Sequence, residues 1–345
     1  MADEPWDGNL WAAADLVTPM AIRVAATLKL ADHIALGLRT ADALAEVVGA
    51  EPDALRRLLD HLVTAQVLTD DQVTEQVLTE DRAPTEYGLT ALGERLRDGH
   101  PDGMRGWLDI EGSVGRAELS FVRLLHTVRT GEAAFPQLYG RGFWEDLASD
   151  PKRSASFDVL MESRLTDAPD VAAAYPWGSL GHLVDVGGGN GSLLLTILHA
   201  HPELRGTVLD QAGPVTRAAE AIEAAGLGDR ADTLEGSFFD ELPPGAGGYL
   251  LSGVVHDWSD DEAARILRRC ADAAGRTGKV LIVEDNPPQT SGDLRMLCYV
   301  RGRDRTVGEL TALAGTAGLE PGPVTEAGSR LIAEFRSRAE NQSPA

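Results

Sequence analysis

Hydrophobic positions in the first hundred residues recur mostly at helical spacing. Leu16, Met20, Ile22, Val24, Ala25, Leu28 and Leu30 make a segment apolar on nearly every side, the pattern of a core or a subunit interface. Thr40 is placed to cap a helix over residues 41–48, and Gly49 turns the chain. Pro52 then opens a helix whose apolar face includes Leu55, Leu58, Leu59 and Leu62. Two short β-type runs follow, Val67-Leu68-Thr69 and Tyr87-Gly88-Leu89-Thr90, and the order spells a winged helix-turn-helix. The connection between those runs is long and acidic and repeats Gln66-Val67-Leu68-Thr69-Asp70 as Gln76-Val77-Leu78-Thr79-Glu80, which predicts an expanded, mobile wing.

Helical patterning continues from Met104 to Pro176, with aromatics at Trp107, Phe121, Phe135, Tyr139, Phe143, Trp144 and Phe157. From His182 the rhythm changes. Continuous apolar runs at Leu183–Val186, Thr207–Asp210, Ala231–Leu234, Tyr249–Ser252 and Val280–Glu284 alternate with helical stretches such as Val215–Ala225 and Asp260–Ala274. This alternation predicts a buried parallel sheet in a doubly wound α/β domain. The expected division is a helical winged-helix domain over residues 1–100, then residues 101–345 as a helical linker or substrate cap joined to the α/β domain.

Charge narrows the range of partners. With 31 basic and 54 acidic side chains the formal balance is −23, and no run of Lys or Arg forms a basic stripe. Such a chain repels nucleic-acid phosphate and anionic lipid alike. The second helix of the helix-turn-helix offers Arg56 and Arg57 beside Asp53, Asp60 and His61, a poor set for reading base edges. That favours pairing of subunits over DNA binding. The amino end is acidic where a secretory signal needs a positive region, and no apolar run approaches the ~20 residues of a membrane span. Two cysteines, Cys270 and Cys298, make no disulfide framework, so the reading is a cytoplasmic protein with reduced thiols and neither a nucleic-acid nor a membrane partner.

The first α/β strand runs into Asp185-Val186-Gly187-Gly188-Gly189-Asn190-Gly191 and a helix opens at Ser192. Glycines let backbone approach a ligand, and the helix start offers free N–H groups. Asp210 ends the next strand about 20 residues on, where a carboxylate accepts ribose hydroxyls. A dinucleotide fingerprint would need Gly or Ala at 192, where this chain has Ser192. Asp185 would oppose a pyrophosphate but suits a cation. The loop therefore favours S-adenosylmethionine over NAD, with Gly187, Gly189, Asp185 and Asp210 as contacts. In Gly236-Ser237-Phe238-Phe239, an aromatic at Phe238 can stack on adenine and Ser237 can meet its edge.

The fourth strand runs into Ser252-Gly253-Val254-Val255-His256-Asp257-Trp258. Strand carboxyl ends are where α/β sheets place reactive groups, and His256 alone among eight histidines falls at one. A phenol with pKa near ~10 is mostly protonated at neutral pH, so an imidazole supported by a carboxylate can serve as its base. Glu284 and Asp304 are the candidate carboxylates. No histidine clusters with Asp, Glu or Cys as a metal site would require, and no nucleophile elbow is present.

These motifs, with Arg303-Asp304-Arg305-Thr306, resemble the S-adenosylmethionine-dependent small-molecule O-methyltransferases of bacterial natural-product and plant phenylpropanoid pathways. The resemblance spans about Asp15 to Phe335 and looks nearest to actinobacterial tailoring enzymes for aromatic polyketides. It implies a Rossmann-like class I methyltransferase domain and a homodimer formed through the winged-helix domain. It also implies His256 as base with Glu284 in support, and Asp304 where plant members carry Glu. Arg153 would meet the methionine carboxylate and Ser252 the cofactor. Phe157 and Met161 would pack near the sulfonium. Met161, Asp257, Met296, Tyr299 and Arg303 would line the pocket of a small aromatic substrate.

One departure is informative. Naphthoate-type relatives use an Arg in the first helix to meet the substrate carboxylate, whereas this chain has Trp11 there and no basic residue before Arg23. The expected acceptor is a larger, flatter and less anionic ring system, such as a hydroxylated anthraquinone or similar polycycle, enediyne-associated ones included, stacked on Trp11. Relatives of the same fold that hydroxylate or decarboxylate tend to lose the catalytic histidine, so its presence favours methyl transfer. A ligand-responsive winged-helix regulator is the alternative from another class, disfavoured by the charge and by the complete cofactor loop.

Overall fold

The computed structural model describes residues 10–71 and 85–338. The chain divides into two compact units, with the boundary after Leu119.

In the first unit Thr40 caps the helix Ala41–Val48 by accepting the Ala43 N–H, and Gly49 closes it with φ of 68°. Pro52 starts the helix Pro52–Thr64, whose Leu55, Leu59 and Leu62 are buried. Strands β1 (Leu68–Asp70) and β2 (Tyr87–Leu89) pair antiparallel. The repeat over residues 76–80 lies outside the described residues. The buried side chains come from Ala25, Ala26, Leu30, Ile34, Leu44, Leu59 and Tyr87. The apolar segment at the start is less buried than its composition suggests. The helix Val17–Thr27 buries only Ala21, Ala25 and Ala26, and Leu16 and Val17 are exposed. In the second helix of the motif, the Arg56 guanidinium bonds Asp53 at 2.6 Å and Asp60 at 2.9 Å. A guanidinium held by two carboxylates is not offered to a base edge.

The second unit is built on seven strands: β3 (His182–Val186), β4 (Arg205–Asp210), β5 (Ala231–Glu235), β6 (Gly248–Ser252), β7 (Lys279–Asp285), β8 (Leu319–Ala327) and β9 (Arg330–Ser337). Their order is β5-β4-β3-β6-β7-β9-β8, the arrangement of the class I methyltransferase fold. The first five run parallel, while β9 enters antiparallel between β7 and β8. The strands β3, β4, β6 and β7 are mostly buried runs because both faces are covered, whereas β5, read from the sequence as another such run, is an edge strand exposed over most of its length. On one side the helix Asp260–Ala274 buries Ala263, Ile266, Leu267, Cys270, Ala271 and Ala274 at helical spacing. Ser259 caps it by accepting the Glu262 N–H. Burial of a side chain such as Leu267 contributes about 2 kcal/mol, and its truncation to Ala costs about 2–5 kcal/mol. On the other side the helix Ser192–Ala200 places Leu193, Leu194, Ile197 and Leu198 against β3 and β4.

The hairpin β8–β9 was not among the strands read from the sequence. β8 reads Leu-Glu-Pro-Gly-Pro-Val-Thr-Glu-Ala, and its prolines are tolerated because it is an edge strand with an irregularity between Pro321 and Val324. Cys270 and Cys298 are both buried and form no disulfide, and Cys298 Sγ lies 3.4 Å from Ser120 Oγ. Among the described residues no helix is long and apolar enough to cross a membrane, and no group of side chains could hold a metal ion.

Candidate active site

The turn after β3 is shaped by what a side chain would strike. A Cβ at Gly188 would lie 2.6 Å from the Asp185 carboxylate, and one at Gly187, where φ is 75°, would meet Val254 at 3.0 Å and Phe238 at 3.3 Å. The loop thus lies directly on Asp185 and leaves room only for backbone. The Asp210 carboxylate, at the end of β4, accepts the Gly189 N–H at 2.9 Å and the Gln211 N–H at 2.7 Å. Burial raises its pKa, and those two donors oppose the rise. Asp185 is 2% exposed; burial, reinforced by the Asp210 charge, pushes its pKa up to about 7. A dry carboxylate under a glycine loop suits the cationic end of S-adenosylmethionine, and the remaining lone pairs of Asp210 suit its ribose, so the residues present fit that cofactor.

Ser237 Oγ accepts the Phe239 N–H at 3.2 Å, which closes the turn after β5. Phe238 packs edge-on against Phe239 and Trp258, with centroids 5.2 and 5.6 Å apart. Trp258 lies nearly parallel to Trp144 at 6.4 Å, and Trp144 meets Phe157 edge-on at 5.6 Å. These contacts join the loop side of the site to the helix Pro151–Ser163, which carries Arg153, Phe157 and Met161. That helix is tied down by polar links more than by apolar burial. Arg217 bonds Asp158 and, at 2.9 Å, Ser154 Oγ; Asn190 bonds Glu162 at 3.2 Å; Arg164 bonds Asp285 at 3.0 Å.

At the carboxyl ends of β6 and β7, His256 Nδ1 donates to Glu284 Oε2 at 2.6 Å. Nε2 lies 3.4 Å from Asp257 Oδ1. Asp304 lines the same cavity as His256 and Glu284, together with Asp285, Pro288, Arg303, Arg305 and Leu310. Burial presses the imidazole toward its neutral form, but Glu284, Asp257 and Asp304 outweigh it and raise the His256 pKa. The Asp257 carboxyl is pushed up to about 7 by burial, opposed by His256. Asp304 is raised for the same reasons. The loop after the helix Thr290–Val300 holds this turn from behind, since Arg303 N–H donates to the His256 carbonyl at 2.9 Å.

Other expected contacts are differently engaged. The Arg153 guanidinium bonds Asp146 at 2.8 Å and lies 3.2 Å from Asp150, with its Nε buried and without a hydrogen-bond partner among the described residues. The Arg303 guanidinium turns to Glu309 at 2.6 Å and Asp260 at 3.4 Å, so it is the backbone of Arg303 that serves His256. Ser252 Oγ accepts from Arg330 at 3.4 Å, a neighbour supplied by β9 that sequence reasoning missed with the hairpin itself. Tyr299 is buried, its ring 6.0 Å from Phe121 and 6.3 Å from Phe143, and the Met296 carbonyl accepts the Gly302 N–H at 3.0 Å. Trp11 lies in the first unit and is 74% exposed there.

Residues 121–320 match the O-methyltransferase domain family, and residues 11–98 the O-methyltransferase dimerisation domain. The 2,7-dihydroxy-5-methyl-1-naphthoate 7-O-methyltransferase of Streptomyces carzinostaticus is 53% identical over 90% of this chain and 92% of its own. Aclacinomycin 10-hydroxylase RdmB of Streptomyces purpurascens is 41% identical over 99% of this chain and 94% of its own. Among solved structures, the neocarzinostatin-biosynthesis O-methyltransferase NcsB1, in complex with S-adenosylmethionine and 2-hydroxy-5-methyl naphthoic acid, matches 97% of this chain and 100% of its own. That match has a TM-score of 0.90 at 50% identity. The strand order, the glycine loop over Asp185 and these matches lead to one conclusion: this chain belongs to the O-methyltransferase family and uses S-adenosylmethionine as its cofactor.

Proposed function

We propose that this enzyme methylates a phenolic hydroxyl of an aromatic polyketide-type acceptor, with His256 governing the hydroxyl proton. The observation that carries this reading is the 2.6 Å bond between His256 and Glu284 at the strand ends beside the cofactor loop. When bound, the cofactor supplies an electrophilic methyl group. Asp185 holds charge opposite its cationic end, Asp210 accepts from its ribose, and the Phe238 and Trp258 rings exclude water around it. Glu284 fixes the imidazole by its Nδ1 and leaves Nε2 toward the acceptor oxygen. The naphthoate enzyme at 53% identity supports a fused aromatic acceptor. The dimerisation-domain match and the exposed Leu16 and Val17 support a homodimer built by the first unit.

Calorimetry with S-adenosylmethionine against NAD, then His256→Ala assayed on hydroxylated naphthoates and anthraquinones, tests the reading. Binding of the first cofactor alone and a loss of at least about 100-fold in kcat are expected. Near-normal turnover by the variant would leave positioning as the only source of catalysis. A second reading, hydroxylation at the same site, is favoured by one observation, the 41% identity to a 10-hydroxylase. Oxygen uptake during turnover would establish it; methyl-ether formation without oxygen uptake would dismiss it.

A further inference from the structure

Arg330 is a nearly buried guanidinium without a hydrogen-bonded carboxylate. It opens β9, and its side chain is 11% exposed. Nη1 donates to Ser252 Oγ at 3.4 Å, while Nε stands 3.7 Å from Asp285 Oδ1, too far for a hydrogen bond. Asp285 is turned instead to Arg164, at 3.0 Å. The Arg330 guanidinium has no other partner among the described residues, although it carries five N–H donors. Its neighbours around the site are engaged: Arg153 by Asp146 and Asp150, Arg217 by Asp158, Arg303 by Asp260 and Glu309, and Arg305 by Asp260. A dry cation with donors to spare gains when an anion reaches it. The side chain is also set in place beforehand. Asp167 fixes the turn before it by accepting the Ser329 N–H at 2.9 Å, and a Cβ at Gly328, where φ is 63°, would lie 2.8 Å from Asp170 Oδ2.

The strand register shows where this cation stands. Asp185 pairs with Leu250, Ser252 with Val283, and Asp285 with Arg330, and side chains alternate along each strand. Ser252 and Arg330 therefore share the sheet face that carries Asp185, at the strand ends beside the cofactor loop, whereas Glu284 belongs to the opposite face. Building on the methyltransferase reading above, we propose that Arg330 and Ser252 bind a carboxylate. One oxygen takes the guanidinium. The other takes the Ser252 hydroxyl, which accepts from Arg330 and keeps its own hydrogen to donate. Two carboxylates can reach this corner: that of the cofactor's amino-acid end, whose ammonium Asp185 would oppose, and one carried by the acceptor ring. The first would give Arg330 the part that the resemblance assigns to Arg153, whose guanidinium already holds Asp146.

The experiment uses the full chain and two ligand pairs whose members differ only in the carboxylate. S-adenosylhomocysteine and its decarboxylated analogue are titrated by calorimetry, and a hydroxynaphthoic acid and the matching naphthol are compared by kcat/KM. Arg330→Met is expected to lower the preference for the carboxylated member at least about tenfold in one pair or both, and the pair that moves names the source. Arg330→Lys, which keeps the charge without the planar fork, restores part of that preference. Ser252→Ala leaves β9 untouched and lowers the same preference about threefold, so it decides the matter should Arg330→Met not fold. A purely structural fault weakens both members of a pair alike. Both preferences staying within about twofold of wild type in Arg330→Met, or unmoved in Ser252→Ala where that variant alone folds, overturn the proposal. Failure of the wild-type chain to form a methyl ether from any of these naphthols would instead overturn the acceptor reading above, and the calorimetric pair would then decide the proposal by itself.

Discussion

Replacing Asp185 by Asn separates what the cofactor loop costs the fold from what it gives the cofactor. The carboxylate is 2% exposed in β3, and burial with the Asp210 charge raises its pKa from 3.8 to about 7. A carboxyl whose folded value is raised contributes fully below its unfolded value, and that contribution is lost as pH rises through the folded one. Above pH 7 the empty protein therefore carries the whole penalty, at most about 4 kcal/mol for a rise of some three units. Asn keeps the shape and removes the charge, so Asp185→Asn should raise the melting temperature without cofactor by roughly 5–10 °C at pH 8. At pH 5.5, where the wild-type carboxyl is mostly protonated in the fold, the gain should be about half as large. The opposite holds for binding. Loss of a charge-assisted contact should weaken S-adenosylmethionine by roughly 10- to 100-fold. Wild-type affinity should rise with pH toward 7, while that of the variant stays flat. Scanning calorimetry at the two pH values, with and without cofactor, reads all of this. A variant less stable than wild type at pH 8, or equally stabilised at both pH values, would refute the reasoning.

Two further substitutions probe the acceptor side. A Cβ at Gly302 would lie 2.1 Å from the His256 carbonyl oxygen and 2.8 Å from the Asp257 carbonyl carbon, so Gly302→Ala must displace the loop and its bond from Arg303 N–H to His256. Steady-state kinetics should show kcat lowered at least about tenfold, and calorimetry an almost unchanged cofactor affinity, because no cofactor contact moves. Trp11→Arg should shift the ratio of kcat/KM between a hydroxynaphthoic acid and its decarboxylated analogue toward the acid by roughly 10- to 100-fold. An unchanged ratio would show that position 11 does not meet the acceptor.

The features legible in the sequence are those where chemistry admits few residue types. Glycines that must clear Asp185 and Val254, the aspartates at the ends of β3 and β4, and the histidine after β6 are each specified by one local requirement. Four of the parallel strands, β3, β4, β6 and β7, were legible for a related reason, since burial on both faces demands unbroken apolar runs, while the exposed edge strand β5 does not meet that requirement. The hairpin β8–β9 was not, because an edge strand with prolines reads as a turn. Side-chain partnerships were also hidden. Arg153 and Arg303 carry the expected charge, yet their guanidiniums are directed by Asp146, Asp260 and Glu309, neighbours that only the folded chain supplies. The helix Pro151–Ser163 falls within the stretch read as helical, but it buries Asp158 and Leu160 and is fastened by Arg217 and Asn190 from elsewhere in the chain, so its seating was not legible.

The position of β9 has a consequence for how the enzyme comes into being. β7, the strand that carries Glu284, pairs with β6 on one side and with β9 on the other, and Glu284 itself stands opposite Leu331. β9 follows every other strand among the described residues. During synthesis the nascent protein thus possesses its glycine loop and its histidine while the outer border of β7 is still a row of unpaired backbone groups. Arg330, which reaches Ser252, arrives with that same last strand. Completion of the sheet and completion of the catalytic floor are one event, and a ribosome-bound chain that stalls before β9 exposes an open strand without yet owning a finished active site.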